Sequence, residues 1–288
     1  MSISIKNNWI LQKIPKRMSF YWDTNAMSYL QYLTVVSFHK HNPDWQIYVY
    51  EPSIMFDKNT WITEEHNEKY TGKNYYELFK KLDYISFEKF DFETIGISNN
   101  ISEIFKSDLI RWYLLDKYGG GWSDMDVLYL QPMHKLNLVG QMIRGEIETT
   151  DIVFAYDNPS YLIGFLLSSP NNGFFSKVLG MAKKNMNSKI YQSCGAESIK
   201  NHYTDIEKIA KNYKNLHIAS LRLSDIYPYK YADLPKLYAS DDETYIKCTT
   251  LGVHWFNGAP ISKIFNNSYM QNETCANNVI SNLIKQIG

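Results

Sequence analysis

The stretch Ser107 to Asp126, SDLIRWYLLDKYGGGWSDMD, decides the reading of this chain. Its first half continues a helix predicted from about Asn100, which can act as N-cap, with Glu103 three residues on in capping-box spacing. Ile104, Leu109, Ile110, Trp112, Leu114 and Leu115 leave little of that helix polar, so it is predicted to be broadly buried and its charged residues need partners. Asp108 and Arg111 are three apart and share a face, as an intrahelical ion pair or as an acid and base that hold a ligand. Gly119, Gly120 and Gly121 let the helix stop in a left-handed turn, and Trp122 and Ser123 read as a short strand. On an extended chain Asp124 and Asp126 point the same way. Two carboxylates that close repel unless a proton or cation lies between them. Oxygen ligands with open positions suit Mg²⁺ or Mn²⁺, which bridge protein carboxylates to a ligand's phosphates. A bare Asp-x-Asp is commonly just a turn, but Val127 to Leu130 follow as an apolar run, which predicts the pair at a strand's edge.

The run S-D-L-I-R, a helix, Y-G-G-G, one aromatic residue and D-M-D resembles the DXD-containing glycosyltransferases of the GT-A fold. Within them it is similar to the α-1,4-galactosyl and GlcNAc transferases and to the glucosylating domain of large clostridial toxins. The pattern spans about twenty contiguous residues, Ser107 to Asp126, with weaker echoes over most of the chain. Trp122 stands where the family usually has Tyr, and Gly121-Trp122-Ser123 replaces a more apolar run. The resemblance implies an α/β chain, a Rossmann-like α/β/α sandwich with a mixed central sheet and a helical C-terminal tail. It implies Asp124 and Asp126 as metal ligands, with His254 of the late segment TLGVHW (Thr250 to Trp255) as a further ligand or a diphosphate contact. It implies Trp22 stacked on the nucleotide base with Tyr21 beside it, Asp108 and Arg111 orienting the donor sugar, and Trp122, Ser123 and Gly258 in the donor site. The activity implied is transfer of a hexose from a nucleotide sugar, a UDP-sugar, to a glycan hydroxyl, with retention, Mn²⁺ or Mg²⁺ and a place in polysaccharide biosynthesis.

Composition bounds the alternatives. A chain of 288 residues is read as a single domain, with residues 1–132 as a nucleotide-sugar half and 133–288 as an acceptor-side half and C-terminal helix. Thirty basic residues balance thirty acidic ones and no long basic run occurs, so nucleic acid is not expected as a partner. The partners expected are a nucleotide-sugar donor and a glycan acceptor; the oligomeric state is not legible. Three cysteines, Cys194, Cys248 and Cys275, have no metal-ligand spacing and are expected as free, mostly buried thiols in a reducing compartment. No run of eighteen uninterrupted apolar residues occurs and the N-terminal MSISIKNNWILQKIPKR has no apolar signal core, so no membrane span is expected and the location expected is cytoplasmic, bacterial or virus-encoded.

In chain order, Lys16 to Trp22 predicts a first strand, and Asn25 opens a helix through about His41. Strands follow at Gln46 to Tyr50, Tyr84 to Phe90, Val127 to Leu130 and Asp151 to Tyr156. Tyr75 to Leu82 reads as a short helix and Gln141 to Thr150 as a loop; Tyr161 to Leu167 is apolar and, with the SSPNNGFF that follows, resembles the family's returning strand, turn and helix, and Phe174 to Asn187 reads as an amphipathic helix. Ser193 to about Tyr213 reads as one helix, Arg222 to Tyr238 as a tyrosine-rich loop, and Pro260 to Gly288 as a helical tail with an apolar packing face. Ligands gather at the carboxyl ends of strands in such folds, which places Tyr21 and Trp22 at a binding crevice. Two other readings stand beside the transferase: a non-catalytic sugar- or nucleotide-binding protein whose acid pair only braces a turn, and a metal-dependent phosphohydrolase with Asp124 as nucleophile.

Overall fold

The computed structural model of the protein describes residues 9–55, 70–268 and 277–287. Four parallel strands form one side of the main sheet: β1 (Arg17–Tyr21), β2 (Gln46–Pro52), β3 (Ile85–Phe90) and β4 (Gly120–Ser123). They are joined through α1 (Tyr29–His41), the one-turn α2 (Tyr76–Phe79) and α3 (Glu103–Lys117). The chain then leaves the sheet in β5 (Val127–Tyr129) and returns through β6 (Met142–Arg144), β7 (Ile152–Asp157), β8 (Ser160–Ser168) and, after three helices, β9 (Ile218–Leu221). Those helices are α4 (Phe174–Asn185), α5 (Ala196–Lys200) and α6 (Ile206–Asn212). Strand order is β3-β2-β1-β4-β8-β7-β9-β6, mixed because β8 runs antiparallel to both β4 and β7. The remaining elements are α7 (Leu223–Ile226), α8 (Leu234–Ala239), β10 (Gly252–His254), α9 (Pro260–Ser268) and α10 (Val279–Ile287).

The alternation of strand side chains explains the layering. Met18 and Phe20 of β1 and Val153 and Ala155 of β7 pack on the side that holds Val35 and Phe38 of α1. Tyr21, Ile152 and Phe154 point the other way, to Leu109, Ile110 and Trp112 of α3 and Val178 of α4. A sheet apolar on both faces needs helices on both, so the fold is an α/β sandwich. Trp112 lies flat on Phe175, ring centroids 5.7 Å apart, and ties α3 to α4. A third cluster joins α8, α10 and the β5–β10 ladder to Leu30 and Leu33 of α1, so Val279, Ile280, Leu283 and Ile284 form a packing face as expected, with Ile261 and Phe265 of α9 packed against it, whereas Ile264, expected on the same face, is exposed. Among the described residues no helix is long and apolar enough to cross a membrane.

Several local expectations are corrected. The N-cap of α3 is Ser102, not Asn100, and Glu103 turns inward, where the fully buried Lys106 Nζ meets its Oε1 at 2.7 Å. Helix α1 starts at Tyr29 rather than near Asn25, because Ser28 and Gln31 form a reciprocal capping box. Met142–Arg144 pairs with β9 at the sheet edge where a loop was expected. The single helix predicted from Ser193 is two, since residues 201–205 turn and Asp205 caps α6 by accepting from Lys208 N. The tyrosine-rich segment is not an open loop: Tyr227 and Tyr229 are buried, and only Tyr231 is exposed. Cys194 is buried and Cys248 exposed, both free; Cys275 and residues 269–276 of the tail lie outside the described residues, as does most of the irregular 54–71 segment.

Candidate active site

Glycines steer the chain into the site. Helix α3 ends at Lys117 with Tyr118 as its C-cap, and Gly119 follows at φ +63°, the left-handed position that closes a helix without a Cβ penalty. At Gly120, φ +83°, a Cβ would stand 2.4 Å from the Arg17 carbonyl oxygen, so only glycine lets β4 settle beside β1. Asp124 follows β4 directly and Asp126 directly precedes β5, so the pair sits at strand edges as expected, although the three residues themselves form a turn rather than extended chain. The alternation survives in the turn. Met125 is buried and its carbonyl accepts from Thr34 Oγ1 at 3.1 Å, which leaves Asp124 and Asp126 facing outward together.

His254 reaches the pair through strand pairing. Antiparallel β10 sets His254 opposite Val127, and Trp255 N donates to the Asp126 carbonyl at 2.8 Å. One ligand atom each of Asp124, Asp126 and His254 lies within 4.8 Å of the others. His254 Nε2 stands 3.1 Å from Asp126 Oδ1, an ion-pair approach off the hydrogen-bond direction, and Oδ1 is buried without a hydrogen bond. Asp126 Oδ2 accepts from Asn257 N at 2.9 Å, Asp124 Oδ1 from Trp122 Nε1 at 2.8 Å, and Asp124 N donates to the Gly164 carbonyl at 2.8 Å.

Charge is balanced inside the cluster. Burial pushes the Asp124 carboxyl up, with Arg111 opposing and the Asp126 charge adding to it. Burial works against charge on Asp126 and His254 too, but each stabilises the other, so Asp126 sits below its ordinary range and His254 above its own. Two carboxylates and an imidazole, with one carboxylate oxygen buried and unbonded, fit a divalent cation that takes oxygen and nitrogen ligands. His254 Nδ1 is buried with no partner.

The structure brings together only part of the expected donor set. Asp108 and Arg111 are buried behind Asp124: Arg111 Nη2 is 2.9 Å from Asp108 Oδ1 and 3.3 Å from Asp124 Oδ1, and Nη1 donates to the Ile163 carbonyl. The guanidinium also lies over the Trp122 ring, 4.9 Å from its centroid. Ser123 is buried and donates to the Asp124 carbonyl at 2.9 Å. Tyr21 is buried in the core at the end of β1, its hydroxyl given to Glu103. Trp22, just beyond β1, is half-buried, and its Nε1 donates to Asn25 O at 3.1 Å. Gly258 lines the cleft.

That cleft, about 300 Å³, has Asp124, Asp126 and His254 in its wall. A larger groove of about 560 Å³ lies elsewhere, over Arg17, Tyr48, Tyr50 and Tyr118, without the metal-ligating cluster. Residues that the sequence did not single out complete the cleft: Gly164, Gln192, Tyr191 and Phe256. Gly164 carried the faint signal of a lone glycine inside an apolar strand, which marks a close approach. Phe256 carried none, though it adopts φ +53° beside the cluster. Tyr227, read only as part of a tyrosine-rich loop, lies fully in the site: its ring is 4.9 Å from that of His254, and burial, then the charges of Asp124 and Asp126, hold its hydroxyl well above the ordinary pKa.

Residues 29–143 match the family described as "Glycosyltransferase sugar-binding region containing DXD motif", a span that includes Asp108, Arg111, Asp124 and Asp126. Among solved structures the chain is similar to the PaToxG glycosyltransferase at 15% identity, TM-score 0.47, over 72% of this chain and 78% of that one. It is also similar to the galactosyltransferase LgtC in complex with donor and acceptor sugar analogues, at 14% identity, TM-score 0.46, over 94% and 95%. The glycosyltransferase GlyE of Streptococcus pneumoniae TIGR4 aligns at 14% identity, TM-score 0.44, over 84% and 54%. No curated protein matches the chain.

Proposed function

We propose that this chain, which carries the sugar-binding region of the DXD-containing glycosyltransferases, is a metal-dependent enzyme that moves a hexose from a UDP-sugar to a glycan hydroxyl. The observation that carries the reading is the convergence of Asp124, Asp126 and His254, ligand atoms within 4.8 Å of one another, in the wall of a cleft. A divalent cation, Mn²⁺ or Mg²⁺, held by these three supplies positive charge against a departing diphosphate. The chain's own residues do the rest. Arg111 bridges Asp108 to Asp124 and keeps that carboxylate aimed at the cleft. In the reading, Asp108 and Arg111 also orient the donor sugar, a positioning role whose benefit is entropic. Trp122 fixes Asp124 from the other side, and Ser123 steadies the turn. Trp22, half-buried at the carboxyl end of β1, stacks on the base, with Tyr21 holding the strand end through Glu103. Gly258 closes the cleft beside the diphosphate. Transfer with retention, a role in polysaccharide biosynthesis and a cytoplasmic setting belong to the same reading; the free thiols of Cys194 and Cys248 agree with the last.

The test is calorimetric titration of UDP with and without Mn²⁺ into the wild type and Asp126→Asn. Binding that strengthens with Mn²⁺ in the wild type and not in the variant is expected, together with a loss of donor turnover of about a hundredfold or more in the variant. Equal UDP affinity with and without the metal in the wild type overturns the metal role.

A further inference from the structure

The strongest feature left unused by the proposed chemistry is the hydroxyl of Tyr227. It is buried, it has no hydrogen-bond partner, and its residue lines the cleft. An unsatisfied buried hydroxyl is costly, and native proteins keep few of them. Its position is tightly specified. A Cβ on Gly164 would lie 2.9 Å from the Tyr227 hydroxyl, 3.0 Å from His254 Nε2 and 3.1 Å from Asp124 Oδ2, so these three polar atoms surround one point. They come from three separate parts of the chain: the segment after α7, β10, and the turn after β4. Glycine at position 164 is what leaves that point open.

The ring is held independently of the hydroxyl. It packs on His254 at 4.9 Å and edge-on to Phe256 at 6.5 Å, and Leu251, just ahead of β10, donates its N–H to the carbonyl of Asp225 in α7 at 2.8 Å. The phenol is therefore aimed at the cluster by packing and backbone pairing, and its donor is free for something that enters.

We propose that Tyr227 is a substrate-binding residue whose hydroxyl donates to an oxygen of the nucleoside diphosphate held at Asp124, Asp126 and His254. This rests on the nucleotide-sugar reading above and deepens it. The chemistry selects a diphosphate oxygen over a sugar hydroxyl. As carboxylates, Asp124 and Asp126 accept, so a sugar hydroxyl that donates to them needs no further donor. A diphosphate arriving there brings only acceptor oxygens, and a neutral phenol satisfies one of them without adding charge beside the two carboxylates.

The test is Tyr227→Phe, which keeps the ring and its packing and removes only the hydroxyl. Titration of UDP, and of GDP as a second probe, in the presence of Mn²⁺ is done beside urea denaturation of the nucleotide-free protein. Affinity for the diphosphate is expected to fall on the order of tenfold, while stability without nucleotide is unchanged or higher because a bare buried donor has gone. Unchanged affinity with a loss of stability overturns the proposal and gives the hydroxyl to a buried water. Unchanged diphosphate affinity with slower transfer to acceptor also overturns it, and moves Tyr227 to the acceptor side. If the wild type shows no metal-dependent affinity for either nucleotide, the nucleotide-sugar reading itself fails, and this proposal with it.

Discussion

At the scale of single residues, the buried acid and base of α3 are the informative pair. Three-residue spacing predicted that Asp108 and Arg111 would meet, and they do, but the same guanidinium also reaches Asp124 and the Ile163 carbonyl, which no spacing indicates. Burial raises the Asp108 pKa to about 7, with Arg111 pulling it down and Asp124 pushing it up. The sign of the stability effect follows. The folded protein holds this proton up to about pH 7, whereas the unfolded chain releases it at the ordinary carboxylate value, so Asp108 favours the folded state at low pH and that contribution is lost as pH rises between the two. Asp108→Asn cannot titrate. Urea denaturation in the presence of a chelator, across about pH 4 to 8, is expected to show the wild type losing stability relative to the variant as pH rises. A constant difference across that range would mean that Asp108 ionises normally.

At the scale of elements, one sequence pattern met two fates. Ser28-x-x-Gln31 and Asn100-x-x-Glu103 both have capping-box spacing. The first is a true box: Ser28 Oγ accepts from Gln31 N at 3.3 Å, and Gln31 Oε1 accepts from Ser28 N at 2.8 Å. The second is not, because Glu103 is drawn inward by Lys106 and Tyr21 and cannot turn back to a cap. Local pattern proposes a helix start and tertiary contacts accept or refuse it. Ser28→Ala is expected to cost about 1 kcal/mol in urea denaturation, and Asn100→Ala close to nothing. Equal costs at the two sites would contradict this assignment of caps.

At the scale of the whole molecule, burial sorts the thiols. Cys194 lies in the core between α3 and α4, its carbonyl accepting from Trp112 Nε1 at 2.8 Å, and burial, with the Asp108 charge beside it, pushes its thiol up to about 12. Cys248 is exposed. A thiolate reagent at mildly alkaline pH is expected to modify Cys248 at once and Cys194 only as the protein unfolds, which peptide mass mapping reads directly. Modification of Cys194 at the rate of Cys248 under native conditions would show that this core opens locally. The wrapping of the C-terminal segment over α1 belongs to the same scale, since α10 and the β5–β10 ladder share one apolar cluster with Leu30 and Leu33.

What the sequence by itself determined is what short-range periodicity and spacing can carry. The apolar surround of α3, the glycine turn and the two aspartates two apart in Asp124-Met125-Asp126 are all properties of windows shorter than one element, and they indicated a buried helix, a turn and an acid pair beside a strand, while the α/β sandwich with a mixed sheet came from the resemblance. Resemblance, not spacing, added His254 to the set. Only the tertiary structure decided the rest: that β10 pairs with β5 in the register that sets His254 opposite Val127, that Tyr227 and Gly164 wall the same point, and that Glu103 faces the core. These are contacts between segments far apart in the chain. Their geometry is set by which strands and helices share a packed layer, and no window of sequence shorter than the fold contains that information.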